Sequence, residues 1–168
     1  MKRTIIKFGG YSCLLLIVLF GISFLFEDAM DFSTSEIFGY TTIVLSLSFV
    51  FFGIKSYRDK ENNGVISFGK ALKIGLLITL LASLTFGLIN IIYTEVINPE
   101  FSTEYYKYSI EKIEKELPAE AYKVKVAELE SQQELFGNPL FNFVLMSLTV
   151  FIIGLIISLI SGLILQRK

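Results

Sequence analysis

Four stretches of the chain, 8–26, 37–54, 74–94 and 140–165, are long, apolar and charge-free enough to cross a bilayer. A spanning helix takes about 20 apolar residues, within a range of roughly 17 to 25. Lipid offers the backbone no hydrogen-bond partner, so a spanning segment has to satisfy its own amides, as a helix does. Barrel strands would instead show short alternating segments, which the sequence lacks. The pattern predicts an all-α integral membrane four-helix bundle.

The connections are patterned as well. After the second span, Asn62-Asn63-Gly64 reads as a turn, because Asn and Gly tolerate left-handed backbone angles. Ser67 then stands where it can cap a helix running through Phe68, Ala71 and Leu72 into the third span. The 95–139 connection is too long for a bare loop and too periodic for disorder. Asn98-Pro99 and Ser102 signal a helix start, after which Tyr106, Ile110, Ile113 and Leu117 recur at helical spacing. Pro118 breaks that run. A second helix, favoured by Pro118 at its first turn and by Glu120, with Tyr122, Val126 and Leu129 on one face, ends at Gly137-Asn138-Pro139. The expectation is an extramembrane amphipathic helical hairpin between spans 3 and 4, supported by pairs such as Glu111 with Lys115. It either folds back on itself or lies on the membrane surface.

Charge orients the spans. The amino end, the 55–73 connection and the tail hold Lys2, Arg3, Lys7, Lys55, Arg58, Lys60, Lys70, Lys73, Arg167 and Lys168 against Asp59 and Glu61. The first connection has Glu27, Asp28, Asp31 and Glu36 with no base, and 95–139 carries ten Glu against five Lys. Short loops rich in Lys and Arg stay cytoplasmic, so both termini and 55–73 are expected inside and the hairpin outside. Arg58, Lys60, Lys70 and Lys73 form a candidate contact for anionic lipid headgroups, although topology alone also places basic residues there. Lys2, Arg3 and Lys7 before an apolar run suggest a secretory signal. That run is long for a signal core, and Phe24-Leu25-Phe26-Glu27-Asp28 lacks the small-residue cleavage pattern, so a retained helix is expected.

Composition agrees with the pattern: 168 residues, 53% hydrophobic, 18% charged, mean hydropathy +0.63. That is too apolar for an ordinary water-soluble domain. Small residues mark helix packing faces. Ala71, Gly75, Thr79, Ser83 and Gly87 follow at steps of four in the third span, and Gly154, Ser158 and Gly162 in the fourth. In lipid, helices associate by close van der Waals packing, which small residues permit. The neighbour is either another span of the chain or a second copy in a homo-oligomer. Asn90, a strong amide near the outer end of the third span, is explained by packing or by a polar site.

The candidate chemistry is sparse. Without histidine there is no His metal site, bis-histidine haem or His-based triad. The single Cys13 can form no intramolecular disulfide or zinc cluster and reads as a small packing residue. No Asp, Glu, Lys or Arg sits at mid-membrane depth, which argues against a small multidrug-type antiporter with its embedded glutamate. No phosphate loop, cofactor fingerprint or nucleophile elbow appears, so no catalytic residue, metal or cofactor is assigned.

The stretch Gly64-Val65-Ile66-Ser67-Phe68-Gly69-Lys70-Ala71-Leu72-Lys73-Ile74-Gly75 carries a resemblance, with Asn90, Asn98-Pro99-Glu100-Phe101 and the ending Ser161-Gly162-Leu163-Ile164-Leu165-Gln166-Arg167-Lys168. Over nearly its whole length the chain resembles the small bacterial four-span membrane proteins grouped as domain of unknown function 4199. The resemblance implies an inner-membrane location with a periplasmic hairpin and supplies no catalytic or binding residues. Two readings follow. One is a non-enzymatic membrane protein that offers Tyr105, Tyr106 and Tyr108 to a periplasmic or membrane partner, with the bilayer as its other partner and no role for nucleic acid. The other is a small oligomeric channel or facilitator for uncharged solutes, lined by Thr79, Ser83 and Asn90.

Overall fold

A computed structural model describes residues 1–26 and 30–167. Glu27, Asp28 and Lys168, which entered the charge and motif readings above, lie outside the described residues, as do Ala29 and the side chains of Ala119, Gln132, Glu134 and Phe136. The fold is all-α: α1 (Lys2–Leu25), α2 (Phe32–Glu61), α3 (Phe68–Ile92, prolonged by a π-helical turn Tyr93–Ile97), α4 (Phe101–Glu116), α5 (Ala119–Phe136) and α6 (Pro139–Leu165). Among the described residues four helices are long and apolar enough to span a membrane: α1, α2, α3 with its π turn, and α6. The chain is a multi-pass membrane protein.

Helices overshoot the apolar stretches wherever the flanking residues can keep the backbone ladder. α1 begins at Lys2 rather than near residue 8, and α2 continues through Lys55 to Glu61. α2 also starts early, at Phe32, because the Asp31 carboxylate accepts a hydrogen bond from the Thr34 amide at 3.0 Å. This satisfies one of the amides that a helix start leaves without an intrahelical partner. α2 ends in a turn with Asn63 at φ 52° and Gly64 at φ 81°, and the Asn62 side chain donates to the Val65 carbonyl at 2.6 Å. α3 starts at Phe68, with the Ala71 amide bonded to the Ser67 carbonyl at 3.0 Å.

The chain divides into two compact units, Met1–Phe86 with Met146–Lys168, and Gly87–Leu145. In the first unit α3 is the central element. Against α1 it sets Leu81 on Gly9 and the Thr85 hydroxyl on Cys13 Sγ at 3.1 Å. Against α2 it sets Ile78 on Gly53, and against α6 it sets Gly75 on Ser158. Leu16, Leu47, Val50, Ile54, Ile74, Ile78, Ala82 and Val150 are fully buried at the centre. α1 and α2 join through Ser12, whose hydroxyl donates to the Ser46 carbonyl at 2.8 Å, and through Tyr11 and Phe49, with ring centroids 5.7 Å apart. Ile66 and Arg167 exchange two backbone hydrogen bonds of 2.9 Å, tying the α2–α3 connection to the end of α6.

In the second unit α4 and α5 pack together as a helical hairpin. Tyr106, Ile110 and Ile113 of α4 and Tyr122, Val126 and Leu129 of α5 are partly covered, and their charged neighbours are mostly exposed. Two details depart from the sequence reading. α4 starts at Phe101 with Glu100 in the cap position, so Ser102 is already helical. Pro118 occupies the cap position of α5 rather than its first turn, where its extended ψ of 153° turns the chain. Asn138 caps α6, its Oδ1 accepting from the amides of Leu140 and Phe141 at 3.0 and 3.2 Å.

Candidate functional site

Three groups of side chains bear on function, and the small-residue strips come first. Ala71, Thr79, Ser83 and Ser158 are essentially inaccessible, and Gly75, Gly87, Gly154 and Gly162 are buried. In the first unit the strips of α3 and α6 meet each other: a Cβ on Gly154 would strike Thr79, and Gly162 lies against Phe68 and Ala71. Thr79 and Ser158 bring their hydroxyls to 3.5 Å, and the Ser83 hydroxyl donates to the Leu80 carbonyl of its own helix at 3.0 Å. Thr79 and Ser83 therefore sit inside the helix packing of one chain rather than on an open wall.

The second group lies at the basic end of the helices. Arg58 is held by Asp59 at 2.6 Å and reaches the Leu165 carbonyl at 3.4 Å, within the chain's own closure. Lys70 stands 5.4 Å from the centre of the Tyr57 ring and donates to the Asn62 side chain at 3.5 Å. Lys60 and Lys73 are exposed. Thr4 donates to the Glu61 carboxylate, which also pairs with the amino group of Met1. Lys2, Arg3 and Lys7 line an open concavity with Ile6 and Tyr11, which sequence reasoning did not single out as a site.

The third group belongs to the second unit. Asn142 is 6% exposed and Asn90 is partly covered, and the Oδ1 atom of each is buried without a hydrogen-bond partner. Sequence reasoning missed Asn142, although it is the one amide within the fourth span. The Asn90 carbonyl accepts from the Thr94 hydroxyl at 3.1 Å, just before the π turn. Beyond the turn an aromatic series runs along α4. Tyr93 meets Phe101 edge-on at 5.1 Å, Phe101 stacks on Tyr105 at 6.0 Å, and Tyr105 reaches Tyr108 at 6.3 Å. Tyr105 is 43% exposed, whereas Tyr106 and Tyr108 are half-buried. The titration of Asp31, just before α2, is displaced. The Thr34 hydroxyl first, and the Thr34 amide second, hold its carboxyl below the usual carboxylate range.

Among the described residues no cluster of His, Cys, Asp or Glu could hold a metal ion. The four spans, the hairpin and the inward-facing small residues are the features against which a family match can be read. The family model described as "Protein of unknown function (DUF4199)" matches residues 7–167. The chain belongs to this family. No curated protein matches it. No solved structure matches it either. The matched residues run through the four apolar stretches and the hairpin.

Proposed function

We propose that this DUF4199 chain is a non-enzymatic bacterial membrane protein whose α4–α5 hairpin presents a docking surface to a periplasmic or membrane protein. The observation that carries the reading is apolar exposure on an otherwise charged hairpin: Val124 is 71% exposed, Leu135 48% and Tyr105 43%. Apolar side chains left exposed on a charged element offer surface for another molecule to cover. The aromatic series ending at Tyr105 and Tyr108 adds rigid area at low entropic cost. The distribution of Lys and Arg supports an inner-membrane location with both termini cytoplasmic, which puts the hairpin in the periplasm. The test replaces residues 102–133 with a flexible linker and compares in-cell crosslinked partners. Loss of specific partners is expected, and an unchanged set rejects the reading.

A second reading, a channel or facilitator for uncharged solutes built from two or more copies, draws on Asn90 and Asn142. Two buried carboxamide oxygens without donors suit a passing hydroxyl or amide. Flux through vesicles holding the pure protein would favour it, and no flux across a broad panel of neutral solutes would reject it.

A further inference from the structure

We propose that the basic end of α1, together with the facing wall of α2, is a binding site for one anionic phospholipid, its phosphate held by Arg3 and Lys7 with Lys2 alongside. The site is separate from the hairpin and does not rest on the docking reading. Lys2, Arg3, Ile6, Lys7 and Tyr11 line one open concavity, and all five are exposed. Cations at such a boundary are ordinary. What distinguishes these is that the acids of the same end are already occupied: Asp59 holds Arg58, and Glu61 holds Thr4 and the amino group. Among the described residues no carboxylate lies within ion-pair distance of Lys2, Arg3 or Lys7. The Lys7 ammonium stands 5.8 Å from the centres of both the Phe8 and Tyr11 rings, which hold it beside the concavity.

The surface below the charges selects a lipid over a free phosphate. On a helix, Arg3, Lys7, Tyr11, Leu14 and Val18 share a face at steps of three and four. Leu14 is 60% exposed and Val18 46%. Between them and the cations, Gly10 leaves the helix surface open, since a Cβ there would meet nothing within 4 Å. Tyr11 abuts Phe49 of α2, and Phe49 meets Phe52 at 6.4 Å, with Phe52 half exposed. The order from the basic end is thus cations, open helix surface at Gly10, an aromatic ring with a hydroxyl and apolar side chains. A phospholipid has the same order: phosphate, ester region, acyl chain. Lys and Arg gather anionic headgroups, and aromatic rings with a polar tip settle at the interface between headgroup and chain.

The test uses the full chain purified in detergent, with retention of phosphatidylglycerol and phosphatidylcholine measured by native mass spectrometry. Wild type is expected to retain one phosphatidylglycerol in preference to phosphatidylcholine. The double variant Arg3→Gln/Lys7→Gln should lower that preference by about thirtyfold, the loss of two basic contacts. Lys55→Gln/Arg167→Gln, which removes two exposed cations from the same end, should change it little. Gly10→Leu, which puts a bulky side chain on the open surface beside the cations at constant charge, should lower phosphatidylglycerol retention several-fold. Equal retention of the two lipids, equal effects of the two charge pairs, no effect of Gly10→Leu, or displacement by millimolar inorganic phosphate would each overturn the proposal. Circular dichroism of each variant checks that the helices persist.

Discussion

Gly75 and Ser158 face each other across α3 and α6 so closely that a Cβ on Gly75 would lie 2.7 Å from the Ser158 hydroxyl oxygen and 2.9 Å from its Cβ. One turn further along α3, Thr79 occupies the corresponding place against Gly154. The two helices thus exchange a glycine for a hydroxyl residue in alternate directions, and each glycine accommodates the other helix's side chain. In lipid, where burial of apolar surface gives helices no special reason to meet, this close approach and its dispersion contacts are what join them.

Gly75→Ala should therefore destabilise the bundle by about 1–3 kcal/mol through overpacking. Gly10→Ala and Gly21→Ala, where a Cβ meets nothing within 4 Å, serve as neutral controls. Adding Ser158→Gly to Gly75→Ala should recover part of the loss, because the clashing hydroxymethyl group is removed. Thermal unfolding in detergent, followed by circular dichroism, measures all four, and a Gly75→Ala protein as stable as wild type would contradict the packing described.

The Ser12 hydroxyl, fully buried and donating to the Ser46 carbonyl, ties α1 to α2. Interhelical hydrogen bonds in membranes average about 0.6 kcal/mol. Ser12→Ala should cost about that much, whereas Ser12→Leu, which forces a larger side chain into the same contact, should cost about 1–3 kcal/mol. The contrast between the two in the same unfolding assay separates the hydrogen bond from the packing.

Acidification should loosen the first turn of α2. The Asp31 carboxyl is held below its ordinary range by Thr34, so its contribution is fully present above the unfolded value, about 3.9, and is lost as pH falls through the lower folded value. Amide exchange at Thr34 and Ser35 should rise in that acidic window. Asp31→Asn, which can still cap but does not titrate there, should exchange without the pH step.

Hydropathy made the four spans legible because lipid imposes a single requirement, an uncharged helix of sufficient length, on every spanning segment. The turn at Asn63 and Gly64 was legible for an equally local reason. Helix ends were less so. Asp31 and Asn138 each carry a cap signature, yet Asp31 reads equally as part of an acidic loop and Asn138 as the end of α5. Contacts between distant segments left no local trace. Nothing near Arg58 tells that its guanidinium reaches the Leu165 carbonyl, or that Ile66 pairs with Arg167. The concavity lined by Lys2, Arg3 and Lys7 was equally hidden, because the sequence shows basic residues but not which of them the protein's own acids have claimed.

Asn142 offers the sharpest separation of stability from function. Its Oδ1 is buried and lacks a donor, and a buried unsatisfied acceptor costs about 1–3 kcal/mol. Leu is close to it in shape and needs no partner, so Asn142→Leu should leave thermal stability unchanged or raise it, and Asn90→Leu should behave alike. If the amide serves a passing polar solute, the same Asn142→Leu protein should lose flux in vesicles while remaining at least as stable as wild type. If it serves only the fold, for instance by holding an ordered water, the variant should instead unfold at a lower temperature, because removing the amide also removes the water's anchor. Unfolding temperature and flux, measured on one preparation, therefore move in different combinations under the two readings.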